Sequence, residues 1–213
     1  MSINLFSVQT YYHQHRSTYP DPFRLRIHRA LSWLCKADEQ LNGKDASDAK
    51  QSAPSKDMPQ IPSPQGRKLS SNPDWDIGFQ SLWIAFNAAY AREIDEQEIS
   101  GDRSNFRQFL RTVCRLDKEK LIYELVWQTF SDAIRSLAAQ DTDTVLLIMF
   151  DRLCTLRNQI IHGGATYGSQ ANRSQLKDAC RILTSLLPLI LHIMQQHPDY
   201  AWGKPYYPFV NGD

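Results

Sequence analysis

The sequence has no run of about 18 apolar residues, the length a helix needs to cross a bilayer. Its most apolar stretch, ILTSLLPLILHIM, is interrupted by Thr184, Ser185 and His192 and reads as a buried core helix. The opening MSINLFSVQTYYHQHR lacks the basic n-region and apolar core of a secretion signal. A soluble, cytoplasmic protein with no membrane partner is therefore expected. Cysteine is sparse: Cys35, Cys114, Cys154 and Cys180 form no CxxC pair and no Cys/His cluster at zinc-ligand spacing. They read as buried thiols in a reducing compartment, and neither a metal nor a cofactor is expected. Charge of one sign is also missing. Lys+Arg number 24 and Asp+Glu 23, a formal charge of +1, which excludes a broad, sequence-blind polyanion binder. Any site for a polyanion has to be local.

What is present fits one globular domain of 213 residues, 42% of them apolar. Residues 43–73 hold five of the eleven prolines and few large aliphatics, so they read as a mobile loop inserted between helices. Before it, Phe23, Ile27, Ala30, Leu31 and Leu34 recur at helical spacing, with Pro22 suited to a first turn. After it, Asp74 or Asp76 can cap a helix whose apolar face is Phe79, Leu82, Trp83, Phe86, Tyr90 and Ile94. Further helices are predicted over 105–116, 118–139 and 143–162, the last stopped by Gly163-Gly164, and one from about Ser169 with Pro188 inside it. No segment alternates as a half-buried strand does. The predicted fold is all-α, an up-and-down bundle of about six helices, with an extended aromatic strap over 198–213. Trp33, Trp83 and Trp127 are expected in the core. His13 and His15, beside Tyr11 and Tyr12, are assigned to a mobile terminus.

The most chemical stretch is RNQIIHGG, residues 157–164, at the end of the fifth predicted helix. Asn158 and His162 are an i,i+4 pair, so the amide is placed to hold the imidazole. Arg157 lies about 140° around the helix from His162, within reach of a shared ligand only through its long side chain. A histidine here suits proton transfer and an arginine suits charge stabilisation. The plainer alternative is a C-cap histidine and a salt-bridge arginine. Residues 152–181 carry five Lys/Arg, including Arg173 and Lys177, against the single acid Asp178, while acids concentrate at 93–98. That segregation points to a small phosphate-sized site.

RNQIIHGG also resembles the Arg-Asn-x-x-x-His motif of HEPN domains, small helical bundles of RNA-cleaving toxins and antiviral defence proteins. FQSLWIAFNAAYA at 79–91 is similar to the second-helix signature of one bacterial branch, and the likeness continues through HGGATYGSQANRSQLKDACRIL and WGKPYYP. It covers 22–210 apart from the inserted loop. The resemblance implies a homodimer whose two motifs face each other across a cleft and cut single-stranded RNA without metal. His162 is then the general acid/base, Arg157 stabilises the developing phosphate charge, and Asn158 orients the site. Asn172, Arg173 and Lys177 are RNA-binding candidates, and an antitoxin is a possible partner. In members silenced by a nucleotidyltransferase, the modified tyrosine stands two residues past the histidine. Here that position is Gly164, with Tyr167 three further on, so control by adenylylation is not carried over. Other members are non-catalytic modules for dimerisation or nucleotide binding, and the resemblance admits that reading too.

Overall fold

The computed structural model describes residues 3–42, 73–92, 102–126, 142–170 and 172–205. The predicted loop over 43–73 lies, apart from Pro73, outside the described residues; so do the acidic run 93–98, Trp127, and the strap beyond Pro205. Within them the protein is all-α, with helices α1 (Leu5–His15), α2 (Asp21–Asn42), α3 (Trp75–Tyr90), α4 (Asp102–Leu116), α5 (described over 121–126), α6 (Thr142–Ile161) and α7 (Arg173–Gln196). No helix among the described residues is long and apolar enough to cross a membrane.

The helix not predicted is α1. Its start is specified by a reciprocal cap: Asn4 Oδ1 accepts the Ser7 N–H at 3.0 Å, and Ser7 Oγ accepts the Asn4 N–H at 2.9 Å. Val8 and Tyr12, one turn apart, then bury against the bundle. Gln195 of α7 donates to the Val8 carbonyl and accepts from Tyr19 Oη, which fastens the segment. The mobile-terminus expectation fails because the segment is capped at its start, buries Val8 and Tyr12 against the bundle and is tied to α7 through Gln195. His15 stacks on Tyr11, and the ring nitrogen Nδ1 engages the Tyr11 carbonyl.

At the centre is α3. Asp74 caps it by accepting the Ile77 N–H at 3.0 Å, and Phe79, Leu82, Trp83, Ala85, Phe86 and Ala89 are all buried. It lies closest to α2. A Cβ on Gly78 would stand 2.5 Å from Leu41 Cδ2, so any larger residue there requires the Leu41 side chain to shift. On the other side Phe86 gathers an aromatic cluster, with ring centroids 4.4 Å from Phe150 of α6, 4.7 Å from Tyr90 and 6.4 Å from Phe106 of α4. Trp33, by contrast, is 40% exposed, because it falls just off the buried face of α2. Predicted boundaries shift elsewhere: α4 begins at Asp102, and α7 begins at Arg173, four residues later than Ser169. The described cysteines are all free; Cys154 and Cys180 are buried, whereas Cys35 and Cys114 are half-buried.

Arg26, on α2, has no exposed surface at all. Its guanidinium donates to the carbonyls of Ala89 (2.8 Å) and Ala91 (2.7 Å) at the end of α3, and of Trp202 (3.2 Å) and Gly203 (3.0 Å) in the strap. Burial, with Arg92 adding to it, lowers its pKa to about 10, so it remains a cation at neutral pH. The strap is held further by Trp202, whose indole N–H donates to the His197 carbonyl at 2.8 Å.

Replacing Arg26 with Met is expected to cost about 3 kcal/mol, because four carbonyls, two of them in buried and two in part-buried contacts, lose a charged donor at once. Arg26→Lys is expected to recover only part of this, since an ammonium cannot reproduce the planar fork. Urea denaturation measures both; a loss under about 1 kcal/mol for the Met variant would show that the clasp is dispensable.

Candidate functional site

The RNQIIHGG segment ends α6, and Gly163 at φ +70° turns the chain away from the helix. The last turn stays wound through the next residue, with the His162 N–H donating to the Asn158 carbonyl at 3.0 Å. His162 itself is exposed. Its imidazole makes no hydrogen bond, ion pair or ring contact among the described residues.

Arg157 faces the other flank. Its guanidinium lies 5.7 Å from the centroid of the buried Trp83 ring, and Nη1 donates to Asn158 Oδ1 at 2.8 Å. A cation over an indole face is worth about 1 kcal/mol and, combined with the hydrogen bond, confines the side chain. Asn158 therefore joins both functional candidates, though not as its spacing suggests. Its amide oxygen serves Arg157, while its backbone carbonyl serves His162. The helical step explains the choice: Arg157 is adjacent in sequence, and its long side chain folds back onto the amide before solvent does.

The loop that follows is stapled to the first turn of α3. Tyr167 Oη donates to Asp74 Oδ2 at 2.6 Å, and Arg173 Nη1 pairs with Asp76 Oδ2 at 2.6 Å. Asp74 thus caps α3 and holds the loop with the same carboxylate. Its hydrogen bond, followed by its charge, raises the pKa of the Tyr167 phenol. Asn172, in the left-handed conformation at φ 56°, donates to Gln159 Oε1 at 3.0 Å and ties the start of α7 to α6. Lys177 stands 6.0 Å from the Trp75 ring centroid. Beneath these lies Cys180, whose thiol burial pushes up to about 12, making it unreactive at neutral pH.

Of the six candidates, then, Arg157 and Asn158 are brought together, and His162 is presented to solvent beside them. Asn172 and Arg173 hold the loop, and Lys177 covers an aromatic ring. The linear count of charge overstates the local field, because folding sets Asp74 and Asp76 beside the basic segment. Those two carboxylates had read only as helix caps. Their second role depends on residues more than 90 positions away, which no local pattern reveals.

Compared with family models, curated proteins and solved structures, the chain matches none. Among the described residues no group of three or more His, Cys, Asp or Glu side chains is placed to hold a metal ion.

Beside the site, α6 and α7 enclose an apolar groove of about 510 Å³ lined by Ile148, Met149, Leu153, Ala179 and Ile182 and reaching Gln159 and Asn172. Ile148 is 48% exposed on its edge. Arg152 stands on the α6 wall and Asp178 on the α7 wall.

Asp74→Ala is expected to cost about 1 kcal/mol through loss of the α3 cap. The same change should bring the Tyr167 phenol back toward its ordinary titration range, read by ultraviolet absorbance. A raised phenol pKa contributes stability that is present below about pH 10 and lost at higher pH. The variant's stability should accordingly be flatter above pH 10 than that of the wild type.

Proposed function

We propose that this chain is a metal-independent endoribonuclease of the HEPN type, acting on single-stranded RNA in a site completed between two copies. The observation that carries the reading is the arrangement at the end of α6: an exposed, unencumbered His162 next to an Arg157 held by Asn158 and Trp83. Acid–base chemistry needs an accessible imidazole, and charge stabilisation needs a cation whose position is set before the substrate arrives. In the proposed reaction His162 takes the proton of a 2′-hydroxyl as its oxygen attacks phosphorus. The P–O5′ bond breaks, and the departing 5′-oxygen receives a proton from the imidazolium of the second copy. Arg157 neutralises the charge that grows on the non-bridging oxygens. RNA is selected over DNA because the nucleophile belongs to the ribose.

A second copy is needed because Arg157 and His162 occupy different flanks of α6, about 140° apart. The groove beside the site supports a two-fold contact: rotation about a two-fold axis can set Arg152 of one copy against Asp178 of the other, whose pairing with Arg181 is solvent-exposed. A role in defence or as a toxin, with an antitoxin as partner, goes with this reading. The open apolar groove beside the site favours one alternative, a non-catalytic module that dimerises and binds a nucleotide or protein through the same surface.

Single-stranded RNA incubated with the protein in EDTA should be cut, and His162→Ala should slow cleavage by about 10²–10⁴-fold. Arg157→Ala should do so comparably. Undiminished cutting by His162→Ala would refute the assignment, and nucleotide binding lost on Arg157→Ala without any cleavage would favour the module.

Placing a charge in the groove with Ile148→Glu should convert a dimer to a monomer in sedimentation and abolish cutting with it. A monomeric variant of full activity would exclude the composite site.

A further inference from the structure

The basic segment 152–181 is not the only one in the chain. The fold displays a second basic feature on α4. Arg103, Arg107, Arg111 and Arg115 recur every fourth residue, all are exposed, and the opposite side of the helix buries Phe106, Phe109, Leu110 and Val113. The helical rise sets successive guanidinium groups about 6 Å apart along the axis. Arg103, Arg107 and Arg111 line one open depression together with the neutral Ser104 and Gln108.

Among the described residues the acids facing the row are few. Arg107 pairs with Asp151 of α6, and Arg103 reaches the same carboxylate at 4.0 Å. Arg111 lies 3.8 Å from Asp143, and Arg115 donates to Tyr200 Oη at 2.7 Å. The side chains of Arg103 and Arg111 remain 58% and 63% exposed, so these ion pairs are solvated and weak, and the row keeps a positive field toward solvent.

The pairing also gives the row a direction. Early arginines of α4 meet Asp151 and a later one meets Asp143, so α4 runs antiparallel to α6. The Arg103 end of the row therefore points toward the His162 end of α6. His162 lies about 16 Å beyond Asp151 along the helix and within about 20° of the same face.

We propose that the α4 arginine row is a backbone track for a single-stranded RNA, binding successive phosphates and delivering the strand toward His162. The inference rests on the proposed ribonuclease reading for its choice of RNA. The recognition is electrostatic and sequence-independent: each guanidinium replaces counterions on one phosphate.

The test uses a fluorescent 2′-O-methyl dodecanucleotide, which lacks the nucleophile and stays intact. Its affinity is measured against salt concentration for the wild type and for the triple variant Arg103→Gln/Arg111→Gln/Arg115→Gln, which keeps the Arg107–Asp151 pair. The variant should bind about tenfold or more weakly at low salt. Its slope of log K on log salt should be shallower by about 2, the contribution of three phosphate contacts. His162→Ala should bind as the wild type does, and a dinucleotide too short to reach the row should be cut equally by wild type and triple variant. Equal affinity and slope in the triple variant overturn the track, as does failure of the wild type to bind. Equal row-dependent affinity for a duplex overturns the single-strand assignment. Row-dependent binding of RNA that is never cut leaves the track standing and overturns the ribonuclease reading alone. If the triple variant has a lowered melting temperature, Arg111→Gln by itself, with a slope change of about 0.7, decides the matter.

Discussion

A fully buried arginine that meets only carbonyls governs this fold. Arg26 stays a cation in a site with no carboxylate partner among the described residues, a costly arrangement offset by four carbonyls that accept from Nη1 and Nη2, while the buried Nε has no acceptor among the described residues. Two of its acceptors, on Ala89 and Ala91, belong to the end of α3, where the helix dipole concentrates negative charge. The other two belong to the strap. One side chain therefore fixes the C-terminal end of α3 against α2 and closes the strap over the junction. The same α3 offers Asp74 and Asp76 at its opposite end, and these hold the loop and the start of α7 beside His162. The candidate site is positioned from a helix that is anchored at both termini.

Ionic groups sort into two kinds along this frame. Some are used internally: Arg26 on backbone, Arg173 on Asp76, Arg157 between Asn158 and Trp83. These determine geometry, and Arg157, only half-buried, keeps its charge within reach of the end of α6. Others face solvent, chiefly His162 and the arginines of α4. A chain whose formal charge is +1 can in this way present a local positive field, because the acids that balance it are partly engaged in holding the structure together.

Much of this was legible in the sequence. The periodic faces of α2, α3, α4 and α6 appear where apolar spacing puts them, and the Gly163 stop ends α6 as its left-handed conformation requires. What was not legible depends on partners distant in the chain. The α1 cap is readable in Asn4 and Ser7, yet the burial that makes it worth forming involves α7. The four carbonyls around Arg26 leave no side-chain signature, so nothing in the sequence marks Arg26 out on its amphipathic helix. The Asn158 spacing pointed to His162, and the nearer arginine took the amide instead. The α4 arginines were in view as letters, but their direction toward His162 follows only from which carboxylates they meet on α6.

The central claim is that an exposed His162 uses the substrate's own 2′-hydroxyl as the nucleophile, and the chemistry of the product ends tests it most directly. Phosphorus NMR of a short RNA of defined sequence, digested to completion in EDTA, should show a 2′,3′-cyclic phosphate on the upstream fragment and a free 5′-hydroxyl on the downstream one. Products ending in a 5′-phosphate and a free 3′-hydroxyl, or intact RNA, would contradict the account.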